Sequence, residues 1–296
     1  MARALVLRPP AKINLTLRVG PRRPDGFHDI RSLMQSIALS DTLALTPRAG
    51  PLALHVRGHG VPADRENLVW RAAELLWRAQ GRTGDPRDAY INLEKSIPSA
   101  AGLGGGSADA AAALIGLNVL WGARRTSADL ITLSAELGSD VPFFLQGGTA
   151  LCAGRGDEVY PVDDIARLGL ILIKPSIGVA TADAYRWLDE DRAAGSDDPR
   201  QPPGRLDVGW PVGPIAFVND LEAPVARRHP VIAEMIDACR QAGAMAAGMT
   251  GSGSAVFAAF SEAAAKRAVR RLRRPDWLVI LTRTLARREA ARHIGL

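Results

Sequence analysis

Residues 102–106 read Gly-Leu-Gly-Gly-Gly and run straight into Ser107 and the helix-forming stretch A-D-A-A-A-A-L-I-G-L (108–117). Backbone N–H groups from Gly102 to Gly106 can approach an anion without Cβ atoms in the way. Ser107 suits an N-cap, and the dipole of the helix it would start favours negative charge. The chemistry this implies is phosphate binding. Two commoner phosphate loops are excluded by residue identity. A dinucleotide fingerprint needs G-x-G-x-x-G, and counting from Gly102 or Gly104 ends on Ser107 or Asp109. The P-loop needs a Gly-Lys pair, and the chain has none. Taken alone, the segment reads equally as a tight strand-to-helix connection in which glycine merely permits close packing.

Other reactive side chains are sparse. Only Lys12, Lys95, Lys174 and Lys266 are lysines among 37 basic residues, so each is worth questioning. The arginine excess reads as a compositional habit, and the net charge of +6 suits an anionic small-molecule substrate without demanding nucleic acid. Arg267, Arg270, Arg271 and Arg274 share one face of a helix opposite Val269 and Leu272, which reads as a solvated face. His55 and His59 stand four apart, but H-V-R-G-H reads as a strand entering a glycine turn, which argues against a shared metal. Cys152 and Cys239 lie far apart in apolar surroundings, with no disulfide framework and no C-x-x-C site, as in a reducing cytosol.

The elements that must position these groups belong to an ordinary globular chain of 296 residues, 47% hydrophobic and 23% charged. No stretch approaches the ~18 apolar residues that span a bilayer. The N-terminal apolar run stops at Arg8 and Pro9, too short for a secretory signal. The expected location is cytoplasmic. A-K-I-N-L-T-L-R-V (11–19) alternates apolar Ile13, Leu15, Leu17 and Val19 with polar residues, a half-buried strand that puts Lys12 and Asn14 on one face. Residues 20–26 form a loop, and further strands are predicted at 42–46, 52–56, 89–94 and 168–175. Helices are predicted at 66–79, 230–242 and 261–273. T-S-A-D-L-I-T-L-S-A-E-L-G (126–138) opens like a capping box at Thr126 and Asp129 and stops at Gly138. Asp140 then falls in a turn leading to an apolar strand. Residues 190–214, rich in Pro, Gly and Asp, read as a long mobile loop. The pattern is α+β in two halves, 1–160 and 161–296.

Three segments together carry a resemblance: an early P-x-K-x-N (Pro10, Lys12, Asn14), the central P-x-x-x-G-L-G-G-G-S-x-D-A (Pro98 to Ala110), and the late M-T-G-S-G-S-A-V-F-A-A-F (249–260). In this order, and across almost the whole chain, they resemble the galactokinase, homoserine kinase, mevalonate kinase and phosphomevalonate kinase (GHMP) superfamily of small-molecule kinases. Within it, R-P-D-G-F-H (23–28) and G-S-D-V-P-F (138–143) resemble the branch that phosphorylates a cytidine diphosphate-linked polyol. The resemblance implies a GHMP kinase fold. Its N-terminal subdomain would be like ribosomal S5 domain 2, its C-terminal one ferredoxin-like α/β, with the active site in the cleft between them. It also implies ATP with Mg²⁺ as the phosphoryl donor, a monomer or homodimer, and no nucleic-acid or membrane partner.

By the same resemblance, Asp140 accepts or steers the proton of the acceptor hydroxyl, and Lys12 stabilises charge developing on the attacking oxygen. Asn14 contacts substrate. Phe27 stacks on the cytosine where relatives usually carry Tyr, His28 bonds the polar edge of the base, and Tyr185 covers its other face. The ATP triphosphate lies on Pro98, Ser99, Ala100, Ala101, Gly102, Leu103, Gly104, Gly105, Gly106, Ser107 and Ala108, with Ser107 also a Mg²⁺ contact. Gly251 and Gly253 add backbone donors near the substrate phosphates. The rival readings are a homoserine- or mevalonate-type kinase on the same fold, which G-F-H and G-S-D-V-P-F argue against, and a non-catalytic basic RNA-binding protein. The latter has no need of Lys12, Asp140 and the glycine loop together.

Overall fold

The computed structural model describes residues 4–58, 60–195 and 217–295. The first half runs β1 (Leu5–Leu7), β2 (Pro10–Arg22), β3 (His28–Ser40), β4 (Thr42–Pro51), β5 (Ala53–Arg57), α1 (Leu68–Ala79), β6 (Arg87–Glu94), α2 (Gly105–Leu120), α3 (Ser127–Leu137), α4 (Val141–Gln146), β7 (Thr149–Ala153) and β8 (Glu158–Pro161). The second runs β9 (Gly169–Pro175), α5 (Thr181–Ala193), β10 (Val218–Asn219), α6 (Glu222–Arg228), α7 (Val231–Gln241), β11 (Ala246–Met249), β12 (Val256–Phe260), α8 (Glu262–Leu272), β13 (Trp277–Arg283) and α9 (Arg287–His293). The strands form three sheets, ordered β1-β4-β6-β5, β10-β2-β3-β7-β8 and β11-β12-β9-β13.

Helix α2 is the centre of the first half. Its Ala-rich run from Ala108 to Leu117 is buried all round, because small side chains let neighbouring elements approach from every side. Gly116 shows how tight the fit is: a Cβ there would lie 2.6 Å from Leu45 Cδ1. Truncating a buried neighbour such as Leu114 to Ala would cost about 2–5 kcal/mol. In the second half, β9, β12 and helices α5 to α8 enclose a separate cluster around Ile171, Met235 and Phe260. A third cluster joins the two, with Ile13, Leu15 and Leu103 packed among Leu170, Leu172 and Phe257.

The chain crosses between halves more than once. Residues 218–219 of β10 pair in parallel with Thr16 and Leu17 on the outer edge of β2. After β13, Leu285 N–H donates to Ser36 O and Leu285 O accepts from Gln35 Nε2, fixing the C-terminal segment to β3.

Several sequence expectations hold, including the Thr126/Asp129 capping box and the Gly138 C-cap of α3. Others are corrected. Strand β2 is not half-buried: Lys12 and Asn14 on its polar face are each 3% exposed, because a covered cleft rather than solvent lies over them. Asp140 does not lead directly into a strand but sits at the N-cap position of α4, whose apolar V-P-F-F-L run has no periodicity to separate helix from strand. Pro142 is tolerated there because the first helical turn makes no use of its missing N–H. Residues 190–193 continue α5, 194–195 form the turn that ends it, and 196–214 lie outside the described residues. So does His59 of the His55/His59 pair. Cys152 and Cys239 are both buried and unpaired by disulfide. Among the described residues, no helix is long and apolar enough to cross a membrane.

Candidate active site

Strand β2 carries two of the reactive groups, and irregular pairing with β3 sets their direction. Register shifts flank Lys12 and Asn14 on both sides, between Pro10 and Lys12 and between Asn14 and Thr16. Such bulges re-aim side chains without ending the strand. Lys12 Nζ donates to Asn14 Oδ1 at 2.6 Å and lies 3.4 Å from Asp140 Oδ2. Asn14 Nδ2 donates to Ser32 Oγ, which donates on to Thr16 O. Asn14 N–H donates to Thr250 Oγ1 at 2.9 Å, a link across 236 residues. Asn14, which holds the lysine, is thus itself held on both its side-chain and backbone nitrogens.

The glycine loop reaches the same place. Lys12 N–H donates to Leu103 O. A Cβ on Gly104 would lie 2.6 Å from Phe144 Cζ and 3.1 Å from Lys12 Cγ, and its φ of +70° is in the left-handed region. A Cβ on Gly102 would lie 2.1 Å from Thr250 O, so only glycine lets the loop meet the late glycine turn. The two segments also bond directly, Ser254 N–H to Ala100 O and Ala255 N–H to Ala101 O.

Helix α2 begins earlier than expected. Its N-cap is Gly104, not Ser107, because the left-handed glycine turns the chain and Gly105 and Gly106 already follow the helix. The first helical bond runs from Ala108 N–H to Gly104 O. The N–H groups of Gly105, Gly106 and Ser107 precede it and have no partner within the helix. All three residues line a cavity of about 840 Å³.

That cavity also receives Lys12, Asn14, Phe27, His28, Gly102, Gly104, Asp140, Tyr185 and Gly251. A second cavity, of about 290 Å³, shares the loop and is lined by Pro98, Ser99, Ala100, Ala101, Leu103, Lys95, Asn67 and Leu68. Ala108 and Gly253 line neither cavity; their N–H groups are occupied by Gly104 O and Thr250 O.

At the far end, Phe27 is 51% exposed, with the Arg155 guanidinium 5.3 Å from its ring centre. His28 is buried. Its Nε2 is 2.9 Å from Asp189 Oδ1. Its ring stacks on Tyr185 with centroids 5.2 Å apart and 28° between planes. Tyr185 therefore backs His28 itself instead of standing free opposite Phe27. Burial, then the nearby Asp140 and Asp220 charges, pushes the Tyr185 phenol up, so it stays protonated. Arg22, Arg155 and Arg186 give this end of the cavity a cationic rim.

Sequence reasoning missed four supporting residues. Asp189 is four residues beyond Tyr185 on α5, a spacing that signals one helix face. Asn219 Nδ2 donates to both Met249 O and Gly251 O, holding the late turn, while Asp220 accepts from Arg18 and Val19 N–H on β2. No periodicity marks F-V-N-D. Lys95, one of the four lysines, is buried between Asp41 and Asp109 below the loop.

The residues fit a nucleotide triphosphate: unbonded amides at the start of α2 face the cavity, and a lysine stands beside them. They fit magnesium only as an ion carried on phosphates. Ser107 and Asp140 offer hard oxygen donors, but among the described residues no group of three His, Cys, Asp or Glu forms a metal cage.

Comparison with known proteins gives the same direction. The family models for the GHMP kinases N terminal domain and the GHMP kinases C terminal match residues 67–148 and 211–275. The 4-diphosphocytidyl-2-C-methyl-D-erythritol kinase of Pelotomaculum thermopropionicum is 44% identical over 278 residues, covering 93% of this chain and 96% of its own. That of Symbiobacterium thermophilum is 40% identical, covering 91% and 96%. A crystal structure of 4-(cytidine 5'-diphospho)-2C-methyl-D-erythritol kinase, 34% identical, superposes with a TM-score of 0.78 over 95% of this chain and 99% of the other. The mevalonate kinase of Methanococcus jannaschii shares the fold alone, at 12% identity and a TM-score of 0.65 over 96% and 99% of the two chains.

Proposed function

We propose, from the premise that this chain belongs to the 4-diphosphocytidyl-2-C-methyl-D-erythritol kinase family of GHMP kinases, that it transfers the γ-phosphoryl group of ATP to the 2-hydroxyl of 4-diphosphocytidyl-2-C-methyl-D-erythritol. The products are the 2-phosphate and ADP, and the step belongs to the non-mevalonate route to isoprenoid precursors. The observation that carries the reading is the Lys12–Asp140 pair at 3.4 Å on the wall of a cavity that the open amides of Gly105 to Ser107 also face.

In this reading the amides at the start of α2 hold the triphosphate, and the smaller cavity beside Asn67, Leu68 and Pro98 takes the adenine. Asp140 aligns the hydroxyl and receives its proton as the new O–P bond forms and the bond to ADP breaks. A loose transition state asks more for alignment than for a strong base. Lys12, fixed by Asn14, stabilises negative charge on the attacking oxygen at no reorganisation cost, because its partners are already in place. A magnesium ion carried on the nucleotide would meet the Ser107 hydroxyl and supply neutralisation of phosphate charge. Phe27 stacks on the cytosine, and His28, held by Asp189 and Tyr185, meets its polar edge. Residues 1–160 supply the catalytic pair and nucleotide loop, and residues 161–296 supply the late glycine turn and α5. The activity calls for no nucleic acid or membrane, and the cytoplasm is the proposed location.

A coupled ADP-release assay with the cytidine diphosphate-linked polyol, mevalonate and homoserine tests the reading. Turnover with the first alone is expected. Turnover with only the other two would overturn the substrate assignment. Salt-sensitive RNA binding without ADP release would overturn the reaction class.

A further inference from the structure

Beneath the glycine loop lies a group of charges that the proposed chemistry leaves without a task. Lys95 Nζ is gripped by Asp41 Oδ2 and, at 2.5 Å, by Asp109 Oδ2. Asp41 is fully buried and Asp109 is 2% exposed. The second oxygen of Asp41 accepts from Ser96 N–H at 2.5 Å and Ile97 N–H at 2.8 Å, at the handover from β6 to the loop. Asp109 lies in the second turn of α2, so the cluster joins both ends of the loop. Gly105, the first residue of the helix, rests on it: a Cβ there would lie 3.0 Å from Ile97 Cγ2 and 3.3 Å from Lys95 Nζ. Asp109 Oδ1 is buried without a partner.

We propose that Asp41, Lys95 and Asp109 are positioning residues for the nucleotide: they fix the start of α2 relative to residues 96–104, and so fix where the ATP phosphates are held. None of them touches the reacting atoms. The charge count agrees with the arrangement. One ammonium between two carboxylates leaves an excess negative charge near a phosphate site. Burial pushes Asp109 well above the usual carboxylate range, more than Lys95 holds it down, which eases that excess. For Lys95, burial opposes the charge, but the two carboxylates outweigh it and hold its pKa above the ordinary value.

This inference rests on the reading of the loop as a nucleotide site, and its test separates the two. ATP binding is measured by calorimetry without an acceptor, and KM for ATP and for the acceptor is measured by ADP release. Asp109→Ala is expected to weaken ATP binding and raise its KM by about tenfold, with acceptor KM within twofold. Asp109→Asn, the neutral isostere, is expected to restore ATP KM to within threefold of the parent. Because a hole under α2 threatens folding, Asp41→Asn is the second variant. It has one acceptor oxygen and cannot serve both the backbone amides and Lys95, so it is expected to raise ATP KM and to lower the melting midpoint while remaining folded at the assay temperature. Unchanged ATP affinity in folded Asp109→Ala and Asp41→Asn would overturn the proposal, as would an equal rise in both KM values. An Asp109→Asn variant that folds yet binds ATP as poorly as Asp109→Ala would overturn it too. If the parent binds ATP but phosphorylates none of the acceptors, the substrate reading fails while the ATP comparison still decides this one.

Discussion

Replacing Lys12 by Met removes one charge from the centre of the site and keeps a side chain of similar length. At 3.4 Å from Asp140 and an effective dielectric of about 20, the pair attracts by about 5 kcal/mol. Solvent reaches the aspartate, whose side chain is 29% exposed, and lowers that figure. Only the part that grows as charge moves onto the attacking oxygen affects rate, and removal of one preorganised donor costs about 3–4 kcal/mol in comparable sites, or about 10²–10³ in kcat. Stability should change little, because the buried ammonium gives up its desolvation cost together with its contacts to Asn14 and Asp140. ATP KM should stay within a few-fold, since the open amides at Gly105 to Ser107 remain. The assay is steady-state ADP release with both substrates varied, alongside a melting curve. A kcat within threefold of the parent in a variant that melts normally would refute the role assigned to Lys12.

Asp140→Asn is expected to abolish most turnover while calorimetric ATP binding persists; near-normal turnover would remove Asp140 from the mechanism. Gly104→Ala forces a Cβ into the Phe144 ring at a left-handed φ, which costs about 1–2 kcal/mol from the backbone alone and a fall of about 2–8 °C in Tm. An unchanged Tm would contradict the described packing. Asn219→Asp sets an oxygen against the Met249 or Gly251 carbonyl and should lower kcat more than Asn219→Ala does. For pH, Asp109 is raised in the folded state, so the native chain binds the extra proton. Its contribution falls as pH rises from the ordinary carboxylate value towards the raised one. Asp109→Asn should flatten that part of the denaturant-midpoint profile, and an unchanged profile would show that Asp109 is ionised in the fold.

What the sequence made legible was local. Lys12 and Asn14 share a face by the two-residue period of a strand, the glycine loop excludes other fingerprints by identity, and Asp140 follows a recognisable helix end. The errors were local as well. Ser107 looks like an N-cap by residue type, yet Gly104, three residues earlier and directly before the first helical residue, takes the left-handed turn and starts α2 sooner. The V-P-F-F-L run after Asp140 is too short and too uniformly apolar to declare a period. The remainder was illegible because it is made by contacts between distant segments. Nothing near Lys95 announces that Asp41 will arrive from the junction of β3 and β4, and nothing near Asn219 announces the carbonyls of residues 249 and 251. Asp189 was within reach, one helical turn past Tyr185, but its partner His28 lies 161 residues away.

The bond from Asn14 N–H to Thr250 Oγ1 sets a clock on biosynthesis. The two residues are 236 positions apart, and at about 5–20 residues per second the second follows the first by roughly 12–47 s. For that interval the N-terminal sheet can form, yet Asn14 lacks the partner that squares it against Lys12. Residues 218–219 also arrive late, leaving the outer edge of β2 open for nearly as long. An open edge is a template for wrong strand pairing. The emerging chain is therefore silent as a catalyst and vulnerable to misassembly over the same window, and both conditions end when its last third closes onto β2.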